Sequence, residues 1–275
     1  MKFPDFDSKK EMFKFLVKNK NKIIASKKAQ MKCADAFSFG IFPVNKSGET
    51  LKANTPVKED VDTLTAKVVI NTTNVMDSHD DVHIKGLWKK SLSENKDIFH
   101  DQEHKHSFDS TISDYEDLKA YVQDFTFKEL GQNYEGETQA LIFDSTLRKE
   151  RNKFMFEQYK QGRVRNHSVG MRYIKIDLAV NDKDYKEEFK TWNKYIDTIA
   201  NKEDVEMQGY FFAVLEAKAI EGSAVKIGSN TITPTLENNK FEPLEDTQKT
   251  IQEPLKDTLK ASELKEIISN NLKNF

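Results

Sequence analysis

The sequence predicts a mixed α/β protein, mainly β, with a mixed sheet or small barrel flanked by helices. Short stretches rich in β-branched residues recur between 64 and 227. Helical periodicity interrupts them two or three times, without the strict strand–helix alternation of a parallel α/β fold. The chain has no internal repeat.

In order, 8–30 predicts a helix, because Ser8 with Glu11 forms a capping box and Phe13, Leu16, Val17, Ile23 and Ile24 recur near helical spacing. Pro43, Ser47-Gly48 and Pro56 mark 42–60 as a linker. A strand follows over 65–70, then a polar loop over 74–81 and a short helix over 85–93. Further strands are expected at 110–113, 120–127 and 139–145, with a helix over 146–161 stopped by Gly162. A long strand or bent strand pair spans 164–180. A polar helix over 183–201 buries Tyr185, Phe189, Trp192 and Ile196, and 209–219 and 223–227 are the last strands. Gly228-Ser229-Asn230 and Pro234 close the ordered region, and a short amphipathic helix is expected near 261–272.

Composition bounds the function. Charged residues make up 32% of the 275 residues and the hydrophobic set 37%, which suits a core domain with polar appendages. No apolar run approaches the ~18 residues of a membrane span, and the first residues carry no apolar signal core. Cys33 is the sole cysteine, so neither a disulfide framework nor a Cys-based zinc finger is available, and a reducing cytoplasmic setting fits. Residues 1–40 hold ten lysines against four acids, and 236–275 hold six against eight. With no arginine in that basic arm and no base-reading motif, it reads as a solvated helix face.

Three constellations carry chemistry. Asn166-His167-Ser168-Val169-Gly170-Met171 places a serine at the start of a strand, where Gly170 permits close backbone approach. A serine nucleophile needs an imidazole base, and that base needs an orienting group. His167 is poorly placed for this, since neighbours on a strand face opposite ways, so the base comes from His100, His104 or His106. The second, His100-Asp101-Gln102-Glu103-His104, spells the inverted zincin pattern, which requires a helix that this stretch does not favour. His79 and His83 form another i, i+4 pair, and with His106 they read as exposed loop histidines. The third, the acidic run 76–81, lacks calcium-loop spacing and reads as a solvated turn.

Taken in order, these stretches resemble the tailed-phage prohead (capsid maturation) protease family, related in fold to the herpesvirus assembly proteases. The resemblance covers about 64–235. It rests on 71–92, on 98–106, on the Gly162 to Met171 segment with its Ser-Val-Gly, and on Ile220-Glu221-Gly222-Ser223-Ala224-Val225 with Gly228-Ser229-Asn230. The resemblance implies a partly open β-barrel flanked by helices, with a prohead protease domain at 61–235. Around it lie a basic helical extension and linker at 1–60 and a polar linker with a short amphipathic helix at 236–275.

It also implies Ser168 as nucleophile, His104 as base with His100 as alternate, and Glu221 as third member with Glu216 as fallback. The oxyanion donors cannot be mapped; Arg172 is merely near. No cofactor or metal is implied. The implied partners are the major capsid and scaffold proteins of the procapsid, together with self-association, and neither membrane nor nucleic acid. The implied setting is the host cytoplasm, inside the assembling procapsid. Rival expectations are an inactive scaffold protein of the same fold and a zinc peptidase using His100, Glu103 and His104. The two terminal helices are expected to tether the enzyme to scaffold or capsid, and 236–256 to serve as an autocleavage linker.

Overall fold

The computed structural model describes residues 4–31, 44, 56–58 and 60–240. Helix α1 (Lys9–Ala29) starts where Ser8 accepts from the Glu11 N–H, as its capping box requires. Its apolar stripe of Phe13, Leu16 and Ile23 is buried in the main core, each burial contributing about 1.5–3 kcal/mol. The helix packs on β7 (Asn166–Val180), so this part of the basic arm is a wall of the core.

The strands form two sheets. The first is antiparallel in the order β5 (Leu118–Thr126), β6 (Glu137–Arg148), β1 (Thr63–Thr72), β9 (Thr235–Lys240). The second is built around β8 (Tyr210–Val225), sixteen residues long. Strand β7 pairs antiparallel with β8 over its whole length. On the opposite edge two short strands add in parallel: β2 (Asp81–His83) beside Phe212–Val214, and β3 (Phe99–Gln102) beside Glu221–Ala224. Strand β4 (Thr111–Ser113) then pairs with β3. Between β2 and β3 the free backbone of β8 is satisfied by the segment around α2 (Lys89–Glu94). Ala217 N donates to Leu87 O, Ala219 N to Ser91 Oγ, and Asn95 Nδ2 to Ala219 O. β8 is therefore one unbroken strand where the sequence suggests two.

The two sheets do not close into a barrel. The sheet orders end at β5 and β9, and at β7 and β4, without closing. Near the site the two sheets are joined by the bridge of Asn166 with Pro234 and by the His167 N–H donating to Thr233 O. The core lies between them. Gly222 lacks a side chain where Phe143 and Ile70 pack, since a Cβ there would stand 2.5 and 2.8 Å from their carbons. No helix among the described residues is long and apolar enough to cross a membrane.

Several elements differ from expectation. Residues 146–148 continue β6, because Thr146 and Leu147 pair with Thr65 and Leu64; the helix there is only α3 (Lys153–Lys160), capped by Asn152. The helix expected over 183–201 is α4 (Lys186–Tyr195) with a 3-10 turn at Ile196–Thr198, and α5 (Lys202–Gln208) follows it unforeseen. Strand β9 extends the sheet beyond Pro234, into residues that read as polar linker. The linker over 42–60 falls mostly, and the helix at 261–272 wholly, outside the described residues.

Candidate active site

The site is assembled by register. Ser168 is paired with Ser223 and Gly170 with Glu221 across β7 and β8, while Asp101 and Phe99 of β3 pair with Ser223 and Glu221. Paired residues share a face, and their Cβ atoms lie roughly 4.5–5.5 Å apart. Ser168, Ser223, Glu221 and Asp101 thus share one face of the second sheet. His167, His100 and Gly222 are displaced by one residue and turn to the core.

His104 reaches the same face by a turn. After Gln102 the backbone enters the left-handed region at Glu103 (φ 53°) and His104 (φ 56°). That conformation costs roughly 1–2 kcal/mol per non-glycine residue. Hydrogen bonds hold it: Glu103 N to Ala224 O at 3.0 Å, His104 N to Ser223 Oγ at 3.1 Å, and Lys105 N to Gln102 O at 3.0 Å. The turn brings His104 Nδ1 to 2.6 Å from Glu221 Oε1. The other carboxylate oxygen, Oε2, accepts from Ser223 Oγ at 2.6 Å. With both oxygens of Glu221 accepting, the imidazole proton sits on Nδ1 and Nε2 carries the lone pair. Nε2 is buried and has no hydrogen-bond partner among the described residues. Such an atom costs about 1–3 kcal/mol, and its lone pair is able to accept a proton.

Ser168 is 4% exposed on this face, and its hydroxyl makes no hydrogen bond to His104 among the described residues. Apo catalytic contacts are often long and tighten on substrate binding. Gly170 makes the arrangement sterically feasible. A Cβ there would overlap the Glu221 carboxylate, with Cδ at 2.8 Å, and would press on Met31 Cε at 2.7 Å.

The other sequence candidates lie elsewhere. His100 is fully buried. It is linked through Nδ1 to Ser145 Oγ at 2.9 Å and through Nε2 to Tyr159 OH at 3.0 Å. Tyr159 OH also meets His167 Nε2 at 2.9 Å, and His167 Nδ1 meets Thr233 O at 3.1 Å. A carbonyl can only accept, so the protons are ordered. His167 donates from Nδ1, Tyr159 donates to His167 Nε2, His100 donates from Nε2 to Tyr159, and Ser145 donates to His100 Nδ1. Burial pushes His167 down to about 4, and burial followed by the His167 charge holds His100 well below the usual imidazole range. Both stay neutral and structural, so His100 is not the alternate base.

Glu216 pairs with Lys90 at 3.3 Å, away from the imidazole, and Arg172 is exposed on β7. The zincin spacing falls on a strand and a left-handed turn, not a helix, so His100 and His104 do not converge. No group of three or more His, Cys, Asp or Glu side chains converges as a metal site among the described residues.

The acidic run at 76–81 is not a solvated turn. Asp81 is buried, ion-paired with Lys27 of α1 at 2.5 Å, and accepts from Tyr173 OH at 2.9 Å. His83 is buried rather than exposed, bonded to Asn71 at 2.8 Å and Tyr173 at 3.2 Å. Asp77 accepts from the His79 and Asp81 N–H groups, and burial, then Asp81, push its carboxyl up to about 7.

Sequence reasoning missed two residues of the site. Ser223 was legible only as part of a motif. Asp101 sat unnoticed inside the zincin pattern. Its Oδ2 is 3.4 Å from His106 Nδ1, and its Oδ1 is buried without a partner among the described residues. Burial, then Glu221, push Asp101 up to about 6. Two clefts flank the site. One, of about 410 Å³, is lined by Phe99, Asp101, His106, Phe108, Ile220 and Glu221. The other, of about 490 Å³, is lined by Gln102, Glu103, Met155, Arg163, Arg165 and Lys226. No family model, curated protein or solved structure matches the chain.

Proposed function

We propose that this chain is a serine hydrolase whose nucleophile is Ser168, whose base is His104 and whose orienting acid is Glu221. The observation that carries this reading is the imidazole of His104. Its Nδ1 is fixed on Glu221 while its Nε2 is buried, unpartnered among the described residues and on the face that bears Ser168. In the reaction, Ser168 Oγ attacks a carbonyl carbon as Nε2 takes its proton. Glu221 stabilises the resulting imidazolium, the proton passes to the leaving group, and water releases the acyl group by the same path.

More narrowly, we propose an endopeptidase that matures a viral procapsid, cutting scaffold segments, capsid-protein extensions and itself. This step rests on the resemblance of the His104, Ser168 and Glu221 stretches, in that order, to prohead proteases, and with it goes the herpesvirus-protease-like fold. The test is co-expression with candidate capsid and scaffold proteins. Ser168→Ala is expected to abolish their cleavage, and a fluorophosphonate probe to label wild type but not the variant. Cleavage that survives Ser168→Ala overturns the reading. A wild type that is neither labelled nor cuts points to an inactive assembly protein.

A further inference from the structure

We infer that Ser223 is a fourth, positioning member of the site, acting through both Glu221 and His104; the inference rests on the hydrolase reading above. Ser223 is fully buried. Its hydroxyl makes two contacts, both to the proposed machinery. It donates to Glu221 Oε2 at 2.6 Å and accepts from the His104 backbone N–H at 3.1 Å. The first contact fixes the carboxylate rotamer so that Oε1 faces the imidazole. The second holds His104 in its left-handed turn, where a non-glycine residue does not stay unaided. One hydroxyl therefore sets both ends of the His104–Glu221 hydrogen bond.

Ser223 also stands opposite Ser168 in the β7–β8 register, which makes it the rival nucleophile. Its geometry argues against that role. Its proton is committed to Glu221, its lone pair faces a backbone N–H, and it is sealed from solvent. Ser168 on the facing strand has neither commitment.

The test uses the full chain. In Ser223→Ala, kcat is expected to fall about 10- to 100-fold with KM within about twofold, the usual scale for losing an orienting partner. A downfield proton resonance of His104 Nδ1–H is expected in wild type, and in this variant it is expected to shift or vanish. Ser223→Thr keeps the hydroxyl and is expected to restore the resonance and most of kcat. If Ser223→Ala does not fold, Ser223→Cys, of similar size and weak as a donor, takes its place.

The inference is overturned if kcat and the resonance are unchanged, or if kcat falls with thermal stability while the resonance stays intact. The resonance is also read in Ser168→Ala, where no turnover occurs. A resonance that responds to Ser223 in a wild type that neither labels nor cuts overturns the hydrolase reading and upholds the positioning.

Discussion

Glu221 lies directly across the backbone of Gly170, in the space a side chain there would fill. The two are register partners in β7 and β8, and the missing Cβ lets the carboxylate turn toward His104. Gly170→Ala is therefore expected to displace Glu221 and Met31 together. Overpacking of this kind costs about 1–3 kcal/mol. Activity is expected to fall much further than stability, since the carboxylate leaves the imidazole. Thermal denaturation beside a labelling assay at Ser168 separates the two effects, and equal labelling rates in variant and parent would refute the account.

Asp101 adds a pH-dependent charge beside Glu221. Its carboxyl, pushed up to about 6, is neutral below that pH and negative above it. A second negative charge favours the imidazolium formed on His104 during proton transfer. Asp101→Asn is expected to slow the reaction about threefold to tenfold at pH 8, a difference on the order of 1 kcal/mol across a few ångströms. Its rate should merge with the parent's below about pH 5, where both side chains are neutral. A pH–rate profile of the two proteins checks this, and parallel profiles would contradict it.

The His100–Tyr159–His167 chain makes the fold sensitive to acid. His167 falls from the ordinary 6.5 to about 4 on burial, so between these values the unfolded chain binds a proton that the native state refuses. Stability is then lost as pH falls through this window, by roughly 3 kcal/mol from His167 alone. Asp77 and Asp101 are raised, so they take up protons in the native state and oppose the loss. The clean measurement is denaturant unfolding of the Asp77→Asn, Asp101→Asn double variant at pH 7 and pH 4.5. No loss of stability between them would refute the neutral-histidine arrangement.

Lys27 anchors α1 by reaching Asp81, whose side chain is wholly buried. Lys27→Ala removes the lysine's side of this buried pair. The expected destabilisation is about 3–5 kcal/mol, the cost of breaking a buried pair from one side. Equilibrium unfolding measures it, and a loss under 1 kcal/mol would show that α1 is held by its apolar stripe instead.

What the sequence disclosed was local. Ser8 and Glu11 marked the start of α1, alternation marked β5 and β7, and period-two reasoning turned His167 away from the face of Ser168. Failures came where a distant strand decided the outcome. Residues 220–222 looked like a break between two strands, yet β7 pairs with Glu221 and Gly222 on one side of a register shift and with Ala219 on the other. Thr146 and Leu147 read as the start of a helix, yet β1 claims them for the sheet. His83 looked like a loop residue, but partners at Asn71 and Tyr173 make its burial tolerable. Within the site, Ser168, His104 and Glu221 could be nominated from motif order. The part played by Ser223 could not, because a hydroxyl's partners are set by register across β3 and β8.

The parallel pairing of β3 with β8 has a consequence for synthesis. His104 and Glu221 are separated by 117 positions, and the strand that carries Glu221 also closes the pairings of β2, β3 and β7. Contacts this remote in sequence form late and slowly. A chain still on the ribosome has translated His104 and Ser168 well before β8 exists, so the imidazole has no carboxylate to order it. Whatever chemistry the site performs, the nascent chain is denied it until translation has passed Ser223.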